Sequence, residues 1–300
     1  MRLGLSCFAL LATALLCPSA RAQGRIDCAA FESRIMAQKI HYCVMLPPGY
    51  NSGAAAKPPR LYPVLYFLHG LGDNEQTLFK SGGWNTIEDL RRQHKISDFL
   101  VAAPEGLATF YINSADGRTR YSDFFLREFI PHVESHYSIR RQRASRGVSG
   151  VSMGGYGALR FAFANPELFS SVSAQSPALV SESPSPKTHP MPPSNPLSRV
   201  LGPVFGNPVD VRHWNQNSPF VLAKQNRAGI LASRLAIYFN CGQDDDFGFE
   251  DGVAELDRQL QAERIPHESH IYPGNHGSEY FMAHLAETMM FHSRHFDASK

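Results

Sequence analysis

The sequence has no surplus of either charge. It carries 29 Lys and Arg against 27 Asp and Glu, and two of the cations, Arg2 and Arg21, lie in the first 22 residues, which leaves 27 of each sign beyond them. A chain balanced in this way has no cationic surface with which to hold nucleic acid or an anionic membrane. It also has no internal repeat, no low-complexity tract and only one long apolar run, Leu5 to Cys17. That run is too short to span a bilayer. Cysteine is scarce: of five, Cys7 and Cys17 fall in the first 22 residues, leaving Cys28, Cys43 and Cys241. What is present, 43% hydrophobic and 19% charged residues in a chain of 300, suits a soluble globular protein with an ordinary core.

The first residues have their own pattern. An early Arg2, the apolar run and Ala20-Arg21-Ala22 form the n-region, h-region and A-x-A site of a signal peptide spanning 1–22, with a mature chain at 23–300. The competing readings are a membrane anchor and a buried first helix. Lipidation at Cys17 is ill served by Leu16 and Pro18 on either side. Export implies an oxidising compartment, where a disulfide is permitted. Cys28 and Cys43 lie almost symmetrically about a turn expected at Ile35–Met36, so a hairpin over 27–46 sets them opposite each other; Cys241 ends an apolar strand and reads as a buried thiol.

Further along, "LYPVLYFLHG", "DFLVAAPEG", "RGVSGVS", "FSSVSAQSP", "LAIYFNCG" and "HESHIYPG" read as strands. "NTIEDLRRQH", with Asn85 as a cap, "YSDFFLREFIPHVESHY", kinked at Pro131, and "MGGYGALRFAFANP" read as helices, as do two segments near the end. Strands alternating with helices predict an α/β fold with a mostly parallel sheet and helices on both faces. A Pro- and Ser-rich stretch at about 181–211 interrupts the pattern and reads as an insertion over the sheet.

Gly150-Val151-Ser152-Met153-Gly154 fits G-x-S-x-G, whereas Ser149 has Val151 where the second glycine belongs. An apolar strand before Ser152 and a small-residue helix start after it are the setting of a nucleophile elbow. Gly150 and Gly154 leave room for the sharp turn, and the following helix aims its N-terminal amides at the site. The bland alternative is a glycine-rich helix start packed on the sheet. A serine nucleophile needs a base, and the base needs an orienting acid. Downstream, Asp244, Asp245 and Asp246 follow a buried strand and His276 sits in a glycine-flanked loop after the last one, in the order Ser, acid, His. Spacing alone does not choose among the three acids. A metal reading of that acidic cluster lacks any regular ligand spacing. His292 and His295 read as structural, and His69 as shaping its loop. For an oxyanion, the donors expected are the N–H of Met153 and one from "FLHGLGDN", where Gly70 and Gly72 flank Leu71.

"VMLPPGY", "PVLYFLHGLGD", "FLVAAPEG", "GVSMGGYGALRFAFANPELF", "CGQDDDF" and "GNHGSEYF" together resemble the putative-esterase family of α/β-hydrolases, which includes S-formylglutathione hydrolases, feruloyl esterases and mycolyltransferases. The resemblance runs from about Cys28 to Phe296. It implies an α/β-hydrolase fold and a triad of Ser152, Asp245 (three residues beyond Gly242) and His276, with Leu71 as the oxyanion residue after the His-Gly pair. It also implies that Tyr111 and Asn113, in "TFYINSADG", line the pocket, the alternative being a surface loop. The implied activity is hydrolysis of a small-molecule or glycan-linked carboxylic ester through an acyl-enzyme, with no cofactor. Rival readings are acyl transfer to a sugar or envelope glycan, and a non-catalytic carbohydrate-binding protein. The signal peptide departs from S-formylglutathione hydrolases, which are usually not exported.

Overall fold

A computed structural model describes residues 23–50, 60–180 and 196–297. The expected leader at 1–22 and the Pro-rich residues 181–195 lie outside them. The described strands are β1 (Arg25–Ser33), β2 (Gln38–Leu46), β3 (Val64–Leu68), β4 (Leu100–Pro104), β5 (Arg146–Val151), β6 (Ser171–Gln175), β7 (Ala236–Gly242) and β8 (Glu268–Tyr272). They form one sheet in the order β1-β2-β4-β3-β5-β6-β7-β8. Pairing is antiparallel from β1 to β2 and from β2 to β4, and parallel from β4 through β8.

Strands β3 and β4 are buried along their whole length, because both faces of the sheet are covered. Their side chains alternate between two cores. Val64, Tyr66 and Leu68 join Phe125, Phe161 and Leu256 on one face, while Leu65 and Phe67 join Ile87, Leu285 and Met289 on the other. The chain leaves β3 toward β4 on one side and returns to β5 on the other. The loops after β3 and β5 therefore meet at the carboxyl edge of the sheet, the edge where sheets of this kind hold their ligands.

Helices differ from expectation in two details. Asn85 lies inside the helix Trp84–Arg92 and does not cap it, since a π-helical turn, Phe79–Gly83, feeds directly into that helix. Pro131 falls in the first turn of Ile130–His136, just past a second π-helical turn, Phe125–Phe129. The proline's missing N–H is thus placed where the helical register changes. After 195 the insertion becomes regular: Pro196–Phe205 and Val211–Asn217 are helical, the latter capped by Asp210, which accepts from the N–H groups of Arg212 and His213. Phe205 packs against Phe110 and Trp214, and Tyr156 donates its hydroxyl to the Asn217 carbonyl (2.9 Å), which holds this segment over the helix Met153–Ala164.

The β1–β2 hairpin turns at 34–37, and its register sets Cys28 opposite Cys43, which are joined by a disulfide. The bridge closes a loop with a sequence separation of 15 residues. Replacing both cysteines by serine should lower the unfolding free energy by about 3 kcal/mol, the entropy of so short a loop in the unfolded chain. Urea unfolding of the two proteins measures this; equal midpoints would mean that the bridge constrains nothing.

Candidate active site

The elbow is strained as its motif requires. Ser152 has φ 53° and ψ −118°, a conformation that costs a non-glycine residue energy unless its surroundings impose it. They do: its N–H donates to the Gln175 carbonyl (2.9 Å), and its own carbonyl accepts from Tyr156 and Ala178 (3.0 Å each). The two elbow glycines are fixed by close approach. A Cβ on Gly154 would stand 2.0 Å from the Leu68 carbonyl oxygen, and one on Gly150 2.2 Å from that of Gly154.

His276 comes from the loop beyond β8 and Asp245 from the loop beyond β7. The His276 Nε2 lies 2.9 Å from the Ser152 Oγ, and its Nδ1 lies 2.7 Å from the Asp245 Oδ2. Asp245 is 7% exposed. Burial by itself raises its pKa, but the bonds from His276 and from the Phe247 N–H (3.0 Å) outweigh that and hold the carboxyl below its usual range, so it is ionised at neutral pH. The choice among three acids, open in the sequence, is made by position. Asp246 accepts the backbone N–H of His276 (3.2 Å), while Asp244 lies on the outer side with Pro273 and Asn275. The rings of Phe247, Phe249 and Phe281 stand edge-on around the imidazole and limit its rotation.

The loop after β3 runs beside the serine: a Cβ on Gly70 would stand 3.6 Å from the Ser152 Cβ. Leu71 and Met153 flank that point, and neither of their amides donates to another described residue. His69 braces the loop from within. Its Nε2 accepts the Gly106 N–H (2.7 Å), so the ring proton sits on Nδ1 and is donated to the Gly70 carbonyl (2.8 Å). Burial lowers its pKa and keeps it neutral.

Tyr111 has no exposed surface to offer a pocket, whereas Asn113 is half-buried. Tyr111 is fully buried, pressed between Gly106 and Gly157, and its hydroxyl donates to the His69 carbonyl (3.0 Å), so it supports the loop from below. Asn113 uses its amide oxygen to accept the Asp123 N–H (3.1 Å) in the first turn of the helix Tyr121–Phe124. The loop after β3 and the His276 loop border a cavity of about 270 Å³, with an apolar wall of Phe67, Leu78, Val151, Phe281 and Met282 and with His69, Asp73, Thr77 and His276 among its polar lining.

The other serine of the motif has a structural place. Ser149 accepts from the Ser173 hydroxyl (2.8 Å), and His292 is held between Ser171 and Ser173 at 2.8 Å each, sealed from solvent. Burial drops the His292 pKa to about 3. A base whose folded value is depressed stabilises the fold above its unfolded pKa, near 6.5, and that contribution drains away as pH falls toward 3. The ring should therefore keep its neutral NMR shifts down to about pH 4 while this residue alone erodes stability by about 1.4 kcal/mol per pH unit below 6.5. Titration of the ring near pH 6 would refute this.

Residues 33–292 match the family model described as "Putative esterase". An esterase of Mycobacterium tuberculosis is 28% identical over 250 residues, which is 78% of this chain and 51% of that protein, so the chain spans about half the length of this relative. Mouse S-formylglutathione hydrolase is 26% identical over 295 residues, covering 87% of this chain and 90% of the mouse protein. Among solved structures, a ferulic acid esterase superposes with a TM-score of 0.75 at 23% identity, over 92% of this chain and 99% of that one, which places the fold among the α/β-hydrolases. With the match to the family model extending over most of its length, the chain belongs to the putative-esterase family.

Proposed function

We propose that this chain is an exported serine esterase that cleaves a neutral carboxylic ester through an acyl-enzyme. The observation that carries the reading is the unbroken line Ser152 Oγ, His276 Nε2, His276 Nδ1, Asp245 Oδ2, with links of 2.9 and 2.7 Å. As Ser152 Oγ attacks the ester carbonyl, its proton passes to His276 Nε2. The Asp245 carboxylate holds the imidazole in the accepting tautomer and steadies the imidazolium. The carbonyl oxygen, now an anion, is received by the Leu71 and Met153 amides, each worth about 3 kcal/mol to the transition state. Collapse breaks the ester C–O bond and His276 returns the proton to the departing alcohol. Water then repeats the sequence, giving the acid and free Ser152. No step calls for a cofactor.

The proposed substrate follows from the cavity. Its wall is largely apolar and aromatic and its charged group is acidic, Asp73, which favours a compact neutral ester over an anionic thioester of glutathione. Relatives named as feruloyl esterase and as acetyl esterase support neutral esters. Export is supported by the N-terminal run and by the Cys28–Cys43 bridge, a bond that persists in oxidising compartments. Among the described residues no helix is long and apolar enough to cross a membrane.

Steady-state assays with p-nitrophenyl acetate, methyl ferulate and S-formylglutathione test the substrate class. A neutral ester should exceed the thioester in kcat/KM by at least about tenfold, the cost of placing like charges together. The reverse order would overturn the substrate class. Acyl transfer to added sugar alcohol outrunning hydrolysis would make the enzyme a transferase.

A further inference from the structure

We propose that Cys241 is a positioning residue of the triad, its thiol donating a hydrogen bond to the same Asp245 oxygen that receives His276. The proposal rests on the triad reading above. Cys241 lies on β7, fully buried, and its Sγ is 3.3 Å from the Asp245 Oδ2, four residues along the chain. Asp245 therefore has three donors: the Phe247 N–H on Oδ1, and His276 and Cys241 on Oδ2. Burial pushes the thiol up to about 12, so across the working pH range it is S–H, a donor and not a nucleophile. In contact with a carboxylate it can only donate, and the bond draws charge from Oδ2.

The consequence is a set point for the base. A carboxylate with one donor fewer is a stronger acceptor and stabilises the imidazolium more. Removing the thiol proton should therefore move the acid limb of kcat/KM to higher pH. Other charged and titratable groups around the pair stay in place: Asp246 on the His276 backbone, Asp73 and His69 across the cavity, Glu250 and Tyr280 beside Cys241, and Asp244 and Glu279 on the outer side of the His276 loop.

Alanine at 241 removes the sulfur and its donor, whereas serine puts a hydroxyl in the same place and keeps a donor, so the pH readout, which loss of packing alone does not move, separates the two. In Cys241→Ala the acid limb, and the midpoint of the His276 ring titration followed by NMR, should rise by about half a pH unit. In Cys241→Ser both should stay within about 0.2 unit of the starting protein, with kcat restored relative to Cys241→Ala. Coincident midpoints for the alanine and serine variants, or a fall in the alanine variant, would overturn the proposal and leave Cys241 as packing. The NMR readout needs no turnover. An inactive wild-type protein whose His276 midpoint still separates the two variants would sink the esterase reading and spare this one.

Discussion

Ser152→Ala should lower kcat by about 10⁶-fold with KM scarcely changed. On the proposed reading the substitution removes one oxygen that acts only in the reaction: its neighbour is His276 Nε2 at 2.9 Å. The strained backbone is held by its own N–H bond to Gln175 and by bonds from Tyr156 and Ala178, all of which alanine keeps, so the fold and its melting temperature should be retained. Substrate would still enter the cavity and meet the oxyanion amides, which is why binding survives. What remains is the weak catalysis those amides give an unassisted water. Kinetics with p-nitrophenyl acetate, corrected for contaminating esterase by titrating active sites, measures the loss. A variant retaining a tenth of the wild-type rate would place the nucleophile elsewhere, and Ser149, buried and bonded to Ser173, offers no replacement.

Asp245→Asn should cost about 10⁴-fold in kcat, and Asp244→Asn and Asp246→Asn less than about tenfold. The difference lies in what each carboxylate faces. Asp245 accepts from His276 Nδ1, Phe247 and Cys241 together. An amide there offers its NH₂ group to one of these donors, or turns it on Nδ1 and forces the ring proton onto Nε2, the nitrogen that must accept from Ser152. Asp246 accepts a backbone N–H, and the amide oxygen of asparagine does the same. Asp244 faces the outer side of the loop and touches neither His276 nitrogen. Three single variants assayed side by side decide the matter. Similar losses in all three would mean that the cluster acts through its field and that no single acid orients the base.

Much of this site is written locally. G-x-S-x-G between an apolar strand and a small-residue helix carries its own geometry, because Gly150 and Gly154 are excluded from bearing a Cβ by atoms a few residues away or on the adjoining strand. The order of strands and helices, and hence the α/β fold, follows from fully apolar strand runs. The hairpin disulfide was legible because strand register converts sequence symmetry into opposition. Other features depend on what the chain meets far along its length. Asp244, Asp245 and Asp246 are chemically alike, and the His276 loop, some thirty residues on, distinguishes them. Tyr111 stands in a polar loop that reads as pocket wall or surface, yet the glycines at 106 and 157 leave a slot into which its ring turns inward beneath His69. The thiol of Cys241 reads as filler until the turn after β7 brings Asp245 back over it. The π-helical turn ahead of Trp84 removes the cap that Asn85 suggested, and periodicity gives no sign of such an extra residue.

The central claim is that Ser152 is an activated nucleophile, and the most direct measurement is the intact mass of residues 23–300 after incubation with a fluorophosphonate, beside Ser152→Ala. The account predicts one adduct on the wild type, complete at equimolar reagent, and none on the variant. An adduct that persists in Ser152→Ala, or a folded wild-type protein that takes up none, would contradict it.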